Sequence, residues 1–286
     1  MITRTYHIEF LTPCFCAGAC QTRAELRPPS IRGQLRWWFR CIGGTPNEEQ
    51  TVFGGVRDKN PLASSFVVRV RQQPSGGQKD WEKKIPGKGV GALAYLQGFF
   101  CDRTGRLQPH GAIPPGSTAV IELLFKTPPT PRLEQSLRLF FSIGAIGFRA
   151  TRAAGAIASR EHQLTTQSWK QLELELARAG FTVHLLDDDF KNDWAALLLR
   201  AGNLLKHKLR GKNGGLGVSS AQPSPLGSPD PRQASALLFR PVRIDGHLRL
   251  ALIEAPHDRV LDAESRRTSG ETKPLLNLAL HKSLIR

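Results

Sequence analysis

Residues 31–42 must form an amphipathic helix. Ile31, Leu35, Trp38 and Ile42 recur at helical spacing and Phe39 widens the stripe they form, so the segment needs an apolar surface to pack on. Pro28-Pro29 precede it and Ser30 is the expected N-cap. Arg32, Arg36 and Arg40 fall at i, i+4 and i+8 and stack on a second face, with Arg27 just upstream. Glu25 is the acid nearby, and it is off the helix. Three guanidiniums with no acid between them repel one another, and a solvated face normally mixes in Glu. Such a row suits consecutive phosphates, because each guanidinium donates a forked pair of hydrogen bonds. Trp37 lies beside the arginines and off the apolar stripe, where it is placed to stack on a base.

The segments around this helix set the fold class. Tyr6, Ile8, Phe10 and Thr12 alternate with His7, Glu9 and Leu11, so residues 3–12 read as a strand ended by Pro13. Residues 65–71 and 118–126 are further strands. Residues 132–143 are a helix with Leu133, Leu137, Phe140 and Phe141 inward. The order is compatible with a ferredoxin-like βαββαβ unit, the fold of RNA-recognition motifs. Later come a helix over 166–179 stopped by Gly180, a strand over 181–186 and a helix over 192–209. Strands over 236–243 and 247–255 are joined by the turn signal Asp245-Gly246, and a helix follows over 274–285. Residues 73–91 and 211–231 read as long basic or Gly/Pro/Ser-rich loops. The expectation is an α+β protein of two ferredoxin-like (RRM-like) domains with glycine-rich loops, 1–163 and 164–286.

Charge then selects a partner class. The 286 residues carry 40 Lys+Arg against 24 Asp+Glu, a formal charge of +16, while 40% of residues are hydrophobic and can bury a core. A folded cationic chain expects a polyanion, with nucleic acid first. No run of about 18 apolar residues suggests a membrane span, so no membrane partner is expected. Met1–Thr5 lacks a signal-peptide core and the five cysteines are odd in number, which points to a reducing cytoplasm.

Two other basic segments stand out. Gly144, Gly147, Arg149, Arg152 and Gly155 share a loop, and no acid occurs between Glu134 and Glu161. Glycines let backbone N–H groups approach a phosphate, and the arginines add charge. The loop has no Gly-Lys-Ser/Thr and follows a helix, so it is neither a Walker loop nor a dinucleotide fingerprint. Lys206, Lys208, Arg210 and Lys212 lead into Gly211 and Gly214-Gly215-Leu216-Gly217, with no acid from Trp194 to Pro229. This segment fits a nucleic-acid backbone or a protein partner.

Catalytic equipment is sparse. The one dense carboxylate cluster, Asp187-Asp188-Asp189, precedes a helix start, where N-capping explains it. Cys14-x-Cys16-x3-Cys20 has no second ligand pair at zinc spacing, and Cys101 and His110 are isolated. His207 among its lysines is the one candidate base. The reading is a binder with no metal, no cofactor and no catalytic residue.

Phe10-Leu-Thr-Pro13, then Gly18, then the run from Glu25 through Arg27-Pro-Pro-Ser-Ile-Arg32-Gly-Gln-Leu-Arg36 to Arg40 resembles the RAMP superfamily of type III CRISPR–Cas effector complexes. Within it, the run is most similar to the first-numbered RAMP subunit of the Cmr (type III-B) complex. The Gly144–Gly155 loop resembles that family's Gly-Gly-Ile-Gly-Ser-Arg signature, with Ala145 and Phe148 in place of Gly and Ser and Ala154 in place of an aromatic. Ser235-Ala-Leu-Leu-Phe-Arg240 resembles its late Ser-Pro-Leu-x-Phe-Arg strand, with Ala236 for Pro. The resemblance implies two ferredoxin-like domains. It also implies a non-catalytic subunit that holds the crRNA 3′ region and paired target RNA among other RAMP subunits. Carried over by position, Arg27, Arg32, Arg36 and Arg40 come from the first motif and Arg149 and Arg152 from the second; Gly18, Gly144, Gly147, Trp37, Lys206, Lys208 and Arg210 join them as expected RNA-binding residues. The alternative from another class is a RAMP endoribonuclease that processes repeat RNA without metal.

Overall fold

The structure is a computed structural model and describes residues 1–18, 23–57, 60–74, 96, 112–210, 216, 225–229, 232–261 and 274–285. Cys20, Cys101, His110 and most of the two long loops expected at 73–91 and 211–231 lie outside the described residues.

Strand β1 (Ile2–Phe10) is central to an antiparallel sheet. It pairs with β5 (Thr118–Phe125) from Ile2↔Phe125 to Glu9↔Thr118, and with β6 (Ile157–Ser159) on its other side. Strand β4 (Phe66–Gln72) completes the order β4-β5-β1-β6. The period-2 alternation sends Tyr6, Ile8, Phe10, Ile121, Leu123 and Phe125 to one face. Helices α1 (Pro28–Cys41) and α3 (Pro131–Ile143) cover that face with Ile31, Leu35, Trp38, Leu137, Phe140 and Phe141. The chain order of this half, strand–helix–strand–strand–helix–strand, and its sheet order are those of a βαββαβ unit.

Between α1 and β4 the chain inserts α2 (Pro46–Phe53) and the hairpin of β2 (Gly55–Arg57) and β3 (Asn60–Leu62), which the apolar pattern does not announce. Helix α1 also starts earlier than expected. Its N-cap is Arg27, in extended conformation and without a side-chain cap, so Ser30 is not the cap. The reason is proline: Pro28 and Pro29 have no N–H to satisfy, and the next two N–H groups, of Ser30 and Ile31, both donate to the Arg27 carbonyl.

The second half contains α4 (Thr166–Arg178), β7 (Thr182–Leu185) and α5 (Trp194–Asn203), which continues as a π-turn over Leu204–Leu209. Short strands β8 (Ser228–Pro229) and β9 (Arg232–Gln233) precede β10 (Leu237–Ile244) and β11 (His247–Glu254). A single turn α6 (His257–Val260) and α7 (Leu275–His281) follow. The sheet order is β10-β11-β7, antiparallel, with Asp245 and Gly246 at φ +48° and +84° in the hairpin turn. Among the described residues this half shows three main strands rather than a second complete βαββαβ unit. Leu238, Val242 and Ile253 face the core shared with α1, α3 and α4, while Phe239, Leu250 and Leu252 face α5 and α7.

Strand β10 is a sheet edge, which tolerates Pro241. Its free side is not left open. Residues 151–153 lie along it, with the Phe239 N–H donating to Thr151 O at 3.1 Å and the Ala153 N–H to Phe239 O at 3.1 Å.

Candidate nucleic-acid interface

The three motifs read from the sequence meet at one place. Thr12 is fully buried; its hydroxyl donates to Ala153 O at 2.7 Å and accepts the Ala156 N–H at 3.1 Å. The Gly155 N–H donates to Pro13 O at 2.8 Å. The Thr-Pro of the first motif is thus the clasp of the glycine-rich loop. From the third motif, the buried Arg240 donates to Ala150 O at 3.2 Å, and burial pulls its pKa down to about 10. Sequence reasoning did not select Arg240 as a site residue. Its fixed position in the late strand motif was the available signal.

This geometry revises the role of the glycines. Gly144 donates to Phe140 O and Gly155 to Pro13 O, so neither N–H is aimed at an anion. Their function is close approach: a Cβ on Gly144 would stand 2.1 Å from Phe140 O, and one on Gly155 1.9 Å from Ile146 O. Gly147 has φ +90° and a Cβ there would meet Phe15 O at 2.7 Å. The Phe148 N–H donates to that same Phe15 carbonyl at 2.8 Å. Segment 14–18 therefore runs against the loop on one side. On the other it meets the start of α1: Cys16 Sγ donates to Ser30 Oγ at 3.4 Å, and a Cβ on Gly18 would lie 2.3 Å from the Glu25 carboxylate and 3.8 Å from Arg27 Cδ. Segment 14–18 thus lies between the Gly147–Arg149 stretch of the loop and Arg27 at the start of α1, with Arg27 exposed and Arg149 half-buried.

Arg152 does not join them. It is 6% exposed, donates to Leu226 O and lies 5.7 Å from the centre of the Phe239 ring. The loop that carries it folds onto β10, which turns this cation inward, where it ties the loop to the second half of the chain.

The arginine row on α1 is real but is not unpaired. Helix α2 folds back beside it and brings Glu49, whose carboxylate takes Arg36 Nε at 2.8 Å and Arg40 Nε and Nη2 at 2.5 and 2.6 Å. Arg32 and Arg36 donate to the carbonyls of Phe53 and Gly54, where α2 ends. The positive row thus satisfies the C-terminal carbonyls of a neighbouring helix. Removing Arg32 and Arg36 together would loosen α2 as well as remove charge. Trp37 is half-buried and meets Trp38 edge-on, centroids 5.0 Å apart.

Hydrogen bonding to Arg40 holds the Glu49 carboxyl below its ordinary value of 4.5. Its contribution to stability is therefore full above about pH 4.5 and is lost as pH falls through the lowered folded-state value. In acid titration followed by circular dichroism, Glu49→Gln should lie below wild type at pH 7 and converge with it at low pH. Parallel curves across that range would reject the assignment.

In the third basic segment, Lys206 and Lys208 sit on the π-turn that ends the helix expected over 192–209, and Lys208 is exposed. Arg210 is held by the Leu226 and Gly227 carbonyls at 2.8 and 2.6 Å. The candidate base His207 is exposed on the same turn. The Asp187–Asp189 cluster does not cap the following helix. Asp193 does, accepting from Ala195 and Ala196, whereas Asp188 pairs with Arg200 and Asp189 with His247. Cys14, Cys16 and Cys41 are buried, and burial raises the Cys14 and Cys41 thiols well above their ordinary pKa. Among the described residues no three His, Cys, Asp or Glu side chains converge as metal ligands, and no helix is long and apolar enough to cross a membrane.

The strand end, the arginine-bearing helix and the glycine-rich loop all fall within residues 7–158, which match the RAMP superfamily over just over half the sequence, and the chain belongs to that superfamily. Within it the chain is Cmr1-like. It is 28% identical over 167 residues to the CRISPR system Cmr subunit Cmr1-1 of Pyrococcus furiosus, covering 54% of this chain and 44% of that one. It is 25% identical over 177 residues to Cmr1-2 of the same organism, covering 55% of this chain and 95% of that one. The chain thus spans less than half the length of the first of these relatives. The crystal structure of apo Cmr1 from Pyrococcus furiosus shares the fold, with a TM-score of 0.57, 21% identity and coverage of 89% and 88% of the two chains.

Proposed function

We propose that this chain is a non-catalytic RNA-binding subunit of a type III-B (Cmr-type) CRISPR–Cas effector ribonucleoprotein. In that role it holds the crRNA 3′ region and paired target RNA beside other RAMP subunits, built as two ferredoxin-like domains over 1–163 and 164–286. The carrying observation is that segment 14–18, ending at Gly18, lies between Arg27 and the loop of Gly147 and Arg149, in a chain of net charge +16. Two cations flanking segment 14–18 suit a phosphate backbone, with the Glu25 carboxylate beside Gly18 as the acid in their neighbourhood. Lys206, Lys208 and the Arg32–Arg40 row are further candidate RNA contacts, Arg36 and Arg40 in competition with their pairing to Glu49. The names of the relatives, as Cmr subunits of CRISPR systems, support the same reading.

Salt-titrated binding to a single-stranded RNA tests it. Wild-type affinity should fall steeply with salt by counterion release, and Arg27→Ala with Arg149→Ala should weaken binding at least about tenfold. Loss of two phosphate contacts should also flatten the log–log salt slope by about 1.4. The melting temperature of the double variant, measured alongside, separates lost binding from lost folding. Unchanged affinity in a folded double variant would overturn the reading.

A further inference from the structure

We propose that Gly33 is a notch in helix α1 where a ribose of bound RNA rests on bare backbone; the inference rests on the RNA-binding reading above. Gly33 stands in the interior of α1 and is exposed to solvent. Glycine is, after proline, the poorest helix former, so its presence there weakens the element. The packing of the chain supplies no reason for it: an added Cβ would meet nothing within 4 Å. Glycines elsewhere have such a reason. An added Cβ would come within 2.7 Å of another atom at Gly44, Gly54, Gly144, Gly147 and Gly155, and Gly43, Gly116, Gly180 and Gly246 have positive φ. What remains for Gly33 is the close approach of something outside the chain.

Its neighbours indicate what approaches. On the helix surface Gly33 lies between Pro29 and Ser30, one turn before it, and Arg36 and Trp37, one turn after it. Those side chains wall a hollow whose floor is backbone. Ser30 is bonded to Cys16, which sets the hollow beside segment 14–18 and the phosphate surface proposed there. Arg27, which is exposed, precedes Gly33 by six residues, about 9 Å along the helix axis at roughly 1.5 Å per residue. No acid occurs in the sequence from Leu26 to Asn47, and the Glu49 carboxylate that reaches α1 is taken up by Arg36 and Arg40.

Trp37, which the sequence offered as a stacking ring, becomes a wall. It is half-buried and meets Trp38 edge-on, and its indole N–H has no hydrogen-bond partner among the described residues. A cation at one end, a bare floor and an uncommitted donor at the other end suit a sugar–phosphate strand. Its phosphate pairs with Arg27, its ribose lies on Gly33, and a sugar or phosphate oxygen accepts from Trp37.

The test measures stability and binding together, in the full chain with a single-stranded RNA octamer. Gly33→Ala should raise the melting temperature by roughly 2–4 °C, because it removes the glycine penalty and meets no atom. The same variant should bind RNA about tenfold more weakly, because the methyl group lifts the sugar off the helix. Its salt slope should match wild type, since no charge is removed. Gly33→Leu should bind more weakly still. Lost affinity in a more stable protein cannot come from unfolding. If the alanine variant is stabilised yet binds RNA like wild type, the notch is overturned, the phosphate surface stands and the occupant of Gly33 is a protein partner instead. If the alanine variant is destabilised, Gly33 serves the fold and the proposal fails. If wild type itself binds no RNA, both readings fall.

Discussion

Gly155→Ala should destabilise the protein by about 3 kcal/mol and abolish the proposed RNA surface with it. Gly155 sits at φ +62°, and an added Cβ would stand 1.9 Å from the Ile146 carbonyl oxygen and 3.3 Å from Cys14 Sγ. Neither can step aside cheaply. The Ile146 carbonyl accepts from Cys14 Sγ, and the Ile146 N–H donates to Gly155 O at 2.9 Å, so the two chain segments are locked face to face. Relief would push the 144–155 loop off segment 13–15, and Arg149 and Phe148 would move with it. For a chain of this size the melting temperature should fall by roughly 6–12 °C. Gly246→Ala is the control. It shares the positive φ, at +84°, yet a Cβ there meets nothing within 4 Å, so only the backbone term of about 1 kcal/mol applies. Equal losses in the two variants would show that conformation, not collision, is what Gly155 is needed for.

The contrast between those glycines marks the limit of what the sequence discloses. Periodicity made β1, α1, β5, α3 and the β10–β11 hairpin readable, because each buries one face and so repeats at two or 3.6 residues. Helix α2 escaped because it buries little beyond Val52 and Phe53 and owes its start to local chemistry. Thr45 and Glu48 form a capping box and Pro46 opens the first turn, a signal that Thr-x-x-Glu carries in plain sight. Missing α2 meant missing Glu49, and with it the pairing of Arg36 and Arg40. The inward turn of Arg152 had no local signal at all. Its acceptor, the Leu226 carbonyl, is 74 residues away and becomes a neighbour only once the loop lies on β10. The glycine-rich loop was correctly located, but its glycines were assigned to a ligand when they serve backbone against backbone. Spacing identifies where special conformations occur, and only packing shows what they are for.

Glu254→Ala should cost roughly 3–4 kcal/mol and release the C-terminal helix from the fold. Glu254 ends β11 at 1% exposure, and its carboxylate is the N-terminal anchor of α7. One oxygen accepts the Leu275 N–H at 2.9 Å and the other the Leu276 N–H at 2.7 Å. His257 Nε2 lies 2.6 Å from the first oxygen. Removing the carboxylate leaves two helix N–H groups and an imidazole in a site where water cannot replace it, and the orphaned donors bear the full desolvation cost. A helix of seven residues cannot persist once undocked, because nucleation alone outweighs its few hydrogen bonds. Leu275, Leu276 and Ala279 would then leave the core they share with α5 and the second sheet. Hydrogen exchange should show this directly: amides of 275–281 exchange at least about a hundredfold faster in the variant, while those of β1 and β5 keep wild-type protection. Glu254→Gln should fall between the two, since its amide oxygen can accept one of the N–H groups and its NH2 must face the other. If α7 stays protected in the alanine variant, apolar packing holds it and the carboxylate is incidental. If instead β1 and β5 lose protection together with α7, the two halves unfold as one unit through their shared core, and the C-terminal helix is part of what keeps the proposed RNA surface in place.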